Sequence, residues 1–206
     1  VGGAQLFKTE MTGPMKDARL TPRIAETARG LWAVYFIGCV ACFFAYRWAG
    51  MSWADAFMHM CTTMSLAGFS SHDASFGYWN SPLIEGVAVF FMMLAGVSVA
   101  LYFVAWRQRS LRPLWRNVEA RAFFGVMAGA VLLISLFLWL GGTYASYAES
   151  LRHTVFHVVS VGTTTGYATQ DYAQWPPFAP LLILLLGCFA TCGGSTGGGI
   201  KMMRML

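Results

Sequence analysis

Two five-residue stretches 98 positions apart, SLAGF at 65–69 and TTTGY at 163–167, end alike in a glycine followed by an aromatic ring. Their chemistry is that of oxygen donors. Thr163, Thr164 and Thr165 bring carbonyls and small hydroxyls, and Ser65, Leu66 and Ala67 bring carbonyls with a single hydroxyl among them. Gly68 and Gly166 can adopt backbone angles that expose successive carbonyls to one side, with Phe69 and Tyr167 placed to anchor each strip against its own helix. Rings of backbone carbonyls can replace the hydration shell of a cation. A threonine-rich loop closed by a turn glycine would account for TTTGY alone. Duplication at a fixed offset, with each copy lying between two apolar stretches, favours a pore loop.

The same offset lays His59 on His157, Asp73 on Asp171, Pro82 on Pro180 and Gly96 on Gly194. The paired histidines invite a metal or haem reading, but no third ligand stands at ligand spacing. A hydrogen bond fixing each short helix to a neighbouring span is the simpler role. Cys39 and Cys42 form a C-x-x-C pair inside an apolar run, and with Cys61, Cys188 and Cys192 they read as buried thiols rather than a redox centre. Asp55, Asp73, Glu85, Glu149 and Asp171 would concentrate cations at one face, or be ordinary solvated carboxylates. A second specific stretch, CGGSTGGGIKMMR, carries Gly193, Gly194, Ser195, Thr196, Gly197, Gly198 and Gly199, then Lys201. Each glycine inside a helix costs about 1 kcal/mol relative to Ala, so the last span should break here. A phosphate loop is excluded, because Ile200 intervenes before Lys201 and no Ser or Thr follows. The break could obstruct or admit an ion. Close helix packing is the alternative use of such glycines.

The elements that must position these strips are membrane helices. Hydrophobic residues make up 57% of the chain and charged ones 11%, against about 25% charged in ordinary soluble domains. Four apolar stretches, 31–48, 83–106, 123–140 and 178–191 with its continuation to Leu206, approach or exceed the ~20 residues of a spanning helix. Between members of each pair, Ala56, Phe57, Met60 and Met64, and again Leu151, Val155, Val158 and Val159, recur at helical spacing. Each outer segment therefore predicts a short helix of about a dozen residues followed by a non-helical strip. Non-helical backbone at membrane depth is tolerated only where protein buries it or water reaches it, so a re-entrant loop implies a cavity.

The net charge of +5 is explained by topology rather than by nucleic acid. Lys8, Lys16, Arg19, Arg23 and Arg29 precede the first stretch; Arg107, Arg109, Arg112, Arg116 and Arg121 separate the second from the third; Lys201 and Arg204 close the chain. The positive-inside rule then places both ends and the 107–121 loop in the cytoplasm. The expected organisation is a cytoplasmic segment and linker helix at 1–30, a helix–pore loop–helix repeat at 31–106, a basic loop at 107–121 and a second repeat with a broken last helix at 122–206. The chain opens VGGAQLF without Met, which reads as a segment of a longer polypeptide.

Taken in order, MTGPMKDARLTPRIAETARGLW, AGFSSHDASFGYWNSP, TTTGYATQDYAQWP and GGSTGGGIKMMR resemble the TrkH-type subunits of the bacterial Trk/Ktr potassium uptake systems, relatives of the HKT/Trk transporters. The resemblance covers essentially the whole chain. It implies an all-α integral membrane fold, here the two middle repeats of four around a pseudo-fourfold pore, with no enzymatic activity. It also implies a selectivity filter at Ser65–Phe69 and Thr163–Tyr167, with potassium at Ala67, Gly68, Thr165 and Gly166, and a gating loop at Gly193–Gly199 with Lys201. Partners implied are a cytosolic nucleotide-binding ring of TrkA type and a second copy of the full-length protein, in the bacterial inner membrane. No covalent cofactor is implied; K⁺ is the transported ion. Both strips lack the second glycine of the GYG signature, and Leu66 and Ala67 stand where hydroxyl residues would otherwise be.

Overall fold

Serine starts each of the two short helices. Ser52 takes the amide of Asp55 on its hydroxyl at 3.1 Å and begins α2, Trp53–Met64, while Ser146 takes that of Ala148 at 3.3 Å and begins α7, Tyr147–Gly162. Asp55 and Glu149 in the first turns suit the positive end of the helix dipole. In this computed structural model, which describes residues 24–188 and 191–202, these two helices sit between more apolar ones. The latter are α1 (Ile24–Trp48), α3 (Pro82–Ala95), α4 (Val99–Arg107), α6 (Val118–Leu140) and α8 (Phe178–Gly187), with a short α5 (Arg112–Arg116) in the basic segment. The described residues contain no strand. The sequence expectation for 1–23 lies outside the described residues.

α1 and α6 are long and apolar enough to cross a membrane unbroken. The second apolar stretch departs from expectation. Instead of one span over 83–106, α3 and α4 meet at an angle of 85° across Gly96, Val97 and Ser98. The cause is tertiary: the Gly96 carbonyl accepts from the Cys192 amide at 3.1 Å, and the Val99 amide donates to Gly194 at 3.3 Å. A side chain at Gly96 would meet the Phe123 ring at 2.8 Å. Hence the break in the first repeat is bonded to the break in the second, within a few residues of the offset-related glycines Gly96 and Gly194. The last span stops after α8, whose ten residues reach about 15 Å, half of the ~30 Å hydrocarbon slab. From Thr191 to Lys201 the chain is non-helical, as the glycines require.

Two apolar cores form, one per repeat, and each borrows from the other. Phe156, Val159 and Tyr167 of the second repeat pack with Tyr46, Phe76 and Met92 of the first. Val97 and Leu101 of the first pack with Phe123, Ile134 and Ile183 of the second. A polar latch joins them as well. Arg152 on α7 donates through Nε and Nη2 to both carboxylate oxygens of Glu85 on α3 at 2.8 and 2.7 Å, and through Nη2 to Asn80 at 2.9 Å. Glu85 is buried, so it is a structural anion rather than a solvated attractor of cations.

Removing Arg152 strands the buried Glu85 carboxylate, at a cost on the order of 3 kcal/mol, whereas removing Glu85 leaves an Arg152 that still reaches solvent and costs less. Arg152→Ala or Glu85→Ala should therefore lower the thermal unfolding temperature of the full-length protein in detergent. The double replacement should cost clearly less than the two added together.

Candidate functional site

α2 and α7 end in the same way. The amide of Leu66 bonds back to Thr63 at 3.1 Å and that of Ala67 to Thr62 at 2.9 Å; Thr164 bonds to Val161 at 2.9 Å and Thr165 to Ser160 at 2.8 Å. This nested pair is the Schellman closure, which places one residue in left-handed backbone and normally selects glycine there. Here the residues are Leu66, with φ 54°, and Thr164, with φ 63°. For a branched residue such as Thr164 that conformation is strained. Two positions further on, Gly68 has φ 72° and Gly166 has φ 92°. Positive φ at 66 and 68, and at 164 and 166, alternates with negative φ between them. An extended strand sends successive carbonyls to opposite sides, and this alternation undoes the reversal. Among the described residues no hydrogen bond reaches the carbonyl oxygens of Leu66, Ala67, Gly68, Thr164, Thr165 or Gly166.

The hydroxyls are otherwise engaged. Thr163 Oγ1 donates to the Val159 carbonyl and accepts from Thr165 Oγ1, each at 2.7 Å. Ser65 Oγ donates to Cys61 at 2.7 Å. Thr164 Oγ1 accepts from the Gly198 amide at 2.8 Å. The two strips approach each other closely, since a Cβ on Gly68 would stand 1.8 Å from the Thr165 carbonyl oxygen.

Tyr167 does not anchor its strip against its own helix, as the sequence suggested. Fully buried, it crosses to the other repeat, where its hydroxyl bonds Thr62 Oγ1 at 2.5 Å and Thr63 Oγ1 at 3.1 Å, with Tyr46 completing the group at 2.7 Å from Thr63. Its counterpart Phe69 is 75% exposed. The histidines also differ from expectation. His59 and His157 hold their Nδ1 against the carbonyls of Asp55 and His153, one turn back, and turn Nε2 to Ser70 and Gln170. Each ties its short helix to the chain leaving its own strip, not to a neighbouring span.

At the first turn of α2, beyond the spanning helices, Asp55 accepts from Ser71 and Ser52 at 2.7 Å each and lies 3.3 Å from His72. These hydroxyl bonds, chiefly that of Ser71, hold its carboxyl below the usual carboxylate range.

The glycine-rich loop is suspended from both repeats. Thr196 Oγ1 donates to the carbonyl of Met64 at 3.0 Å, Gly198 donates to Thr164, and Cys192 and Gly194 bond the bend at Gly96–Val99. Gly197 is packed so closely that a Cβ would meet Thr191 at 2.4 Å and the Thr163 carbonyl at 3.1 Å. Lys201 Nζ donates to the Gly197 carbonyl and, at 3.4 Å, to Thr191 Oγ1, closing the loop on itself. Glu119, at the start of α6, accepts the Gly193 amide at 2.6 Å. Sequence reasoning passed over Glu119. The signal was its being the single acidic residue in the arginine-rich stretch 107–121.

Two helix–re-entrant loop–helix repeats, bonded to each other at strip, bend and loop, define a pore-loop type of α-helical membrane protein. Residues 1–206 match the family profile described as "TrkH: Cation transport protein". The chain belongs to the TrkH family. It is 44% identical over 206 residues to the Trk system potassium uptake protein TrkH of Halomonas elongata, covering all of this chain and 42% of that protein. It is 43% identical to the protein of the same name in Escherichia coli K12, covering 43% of it. The crystal structure of the potassium transporter TrkH from Vibrio parahaemolyticus superposes with a TM-score of 0.85 at 37% identity, over 90% of this chain and 40% of that one. The chain thus spans about two-fifths of the length of these relatives.

Tyr167→Phe removes the hydroxyl that joins the repeats and leaves Thr62 and Thr63 short of a partner, at a cost of about 1–3 kcal/mol. The full-length variant should melt at a lower temperature, while Tyr167→Trp, which also overfills the core, should be worse. Asp55 yields a pH dependence. Its folded-state pKa lies below the unfolded value of about 3.9, so its contribution is present above that value and is lost as pH falls through the folded pKa. Ser71→Ala should move the acid unfolding midpoint to higher pH, as followed by tryptophan fluorescence.

Proposed function

We propose that the chain supplies two of the repeats of a potassium uptake pore. In this reading Ser65, Leu66, Ala67, Gly68 and Phe69 on one side, and Thr163, Thr164, Thr165, Gly166 and Tyr167 on the other, form half of the selectivity filter. K⁺ exchanges water for the carbonyls of Ala67, Gly68, Thr165 and Gly166. The observation that carries the reading is the matched alternation of φ, at 66 and 68 and again at 164 and 166, over carbonyls that accept no hydrogen bond among the described residues. Such oxygens are free to face a cation. The engaged hydroxyls of Thr163 and Thr165 hold the strip in shape rather than ligate. The relatives are named for potassium uptake, which fits this chemistry.

The non-helical stretch Gly193–Gly199 with Lys201 serves as the gating loop. Its bonds to Met64 and Thr164 put it against the exits of both short helices. There it blocks a permeating ion in its present seat and admits one when it leaves. Lys201, bonded to Gly197 and Thr191, keeps the loop folded and adds a positive charge beside the path. The remaining repeats, outside these 206 residues, close the ring. Residues 31–106 and 122–206 are the repeats, and 1–30 and 107–121 face the cytoplasm of a bacterium whose inner membrane holds the protein. A cytosolic nucleotide-binding ring of TrkA type and a second copy of the full-length protein are its partners.

The test is rubidium uptake by full-length protein in liposomes, in competition with K⁺ and Na⁺. Gly166→Ala forces an L-residue into left-handed backbone, costing roughly 1–2 kcal/mol, and Gly68→Ala adds a collision with the Thr165 carbonyl. Flux should fall about tenfold or the preference for K⁺ over Na⁺ should disappear. Unchanged flux and preference in both variants would overturn the reading.

A further inference from the structure

Among the described residues, the bonds that seat the glycine-rich loop from outside its own span come from a strip, a short helix or the α3–α4 bend, and from one side chain on α6. Gly193 donates its amide at 2.6 Å to the carboxylate of Glu119, a buried residue in the first turn of α6. α6 follows directly on the basic segment, and Asn117 caps it by accepting from Ala120 at 2.9 Å. A carboxylate is favoured at this end of the helix dipole, and an amide bonded to an ionised acceptor is held about twice as firmly as one bonded to a neutral oxygen.

We propose that Glu119 is a positioning residue for the glycine-rich loop, its carboxylate holding the Gly193 end in the closed seat and so linking the basic segment 107–117 to the gate. The inference rests on the gating role given to the loop above. Its geometry is asymmetric. The far end of the loop is secured by Thr164, Met64 and the Lys201 staple, all near the strips. The near end is secured by the bend and by Glu119. Displacing the start of α6 by an ångström or two would withdraw the carboxylate from Gly193 without touching any strip residue. Motion of the basic segment therefore reaches the loop and spares the filter.

Cys192 supplies a readout that requires no ion flux. It is 1% exposed beside Gly193, whereas Cys188 is exposed and serves as reference within the same molecule. Full-length protein is treated with a small maleimide, and the ratio of modification at Cys192 to that at Cys188 is read by mass spectrometry. Rubidium uptake and the Rb⁺/Na⁺ preference are followed in liposomes. Glu119→Ala should raise the ratio roughly tenfold, as expected for loss of a hydrogen bond to a charged group. Uptake should rise with the Rb⁺/Na⁺ preference retained, and Glu119→Gln, which keeps an acceptor oxygen, should return the ratio toward that of the unaltered protein. An unchanged ratio in Glu119→Ala, or a raised ratio accompanied by loss of preference, overturns the proposal. If the alanine protein does not reach the membrane, Glu119→Asp, which draws the carboxylate back by one methylene, is judged by the same criteria. Failure of the filter reading shows instead in the Gly166 variant and leaves the cysteine ratio unmoved.

Discussion

Backbone that leaves a helix inside an apolar slab keeps carbonyls without amide partners, and the architecture follows from making that tolerable. The two short helices stop by a closure that uses their last free carbonyls, at Thr62 and Thr63 and at Ser160 and Val161. What remains is a short strip in which, among the described residues, the carbonyl oxygens of 66–68 and 164–166 are unclaimed. Strain at Leu66 and Thr164, about 1–2 kcal/mol each, is sustained because the paired bonds that close each helix fix the backbone there. Glycine at those two positions would relieve it while letting the strip sample other backbone states. A branched or bulky side chain there trades energy for a fixed path.

Two repeats cannot hold such strips in register by independent folding. The structure solves this by exchange. Tyr167 belongs by sequence to the second strip but by packing to the first core, where its hydroxyl meets Thr62, Thr63 and Tyr46 through one network. Val97 and Leu101 make the reverse crossing at the bend. Arg152 and Glu85 add a bidentate charge pair across the same boundary, geometry that specifies orientation as well as distance. A displacement of one repeat is thus felt at three levels: latch, strip and loop. Phe69, at the matching place in the first strip, is exposed where Tyr167 is buried.

Much of this was readable from the chain. The 98-residue offset exposed the duplication, helical spacing of Ala56, Met60 and Met64 gave α2, and the crowding of glycines after Cys192 gave the break. These are local signals, set by periodicity and intrinsic propensity. What escaped depends on single long-range partners. The stretch 83–106 reads as one helix because Gly86 and Gly96 are tolerable in a span; the bonds to Cys192 and Gly194, almost a hundred residues away, hold it in an 85° turn. The destination of Tyr167 escaped for the same reason, as period and composition show that a ring will be buried but not in whose core. Threonine hydroxyls looked like ligands because type alone does not reveal that Thr163 and Thr165 satisfy each other.

The glycine-rich loop shows how a seat can be definite and yet releasable. Its bonds to Met64, Thr164 and Gly96, like that from Val99 to Gly194, are single neutral hydrogen bonds, each contributing about 1 kcal/mol net. Fixing a residue costs about 1–2 kcal/mol in backbone freedom, and glycine lies at the upper end. The neutral bonds alone therefore fall short of the cost of ordering Gly193–Gly199, and no large apolar side chain in that stretch adds burial to make up the difference. With so little in reserve, the seat depends on every bond it has, including that from Gly193 to Glu119 at one end and that from Lys201 to Gly197 at the other. The same composition that breaks the last helix makes its break responsive to one carboxylate.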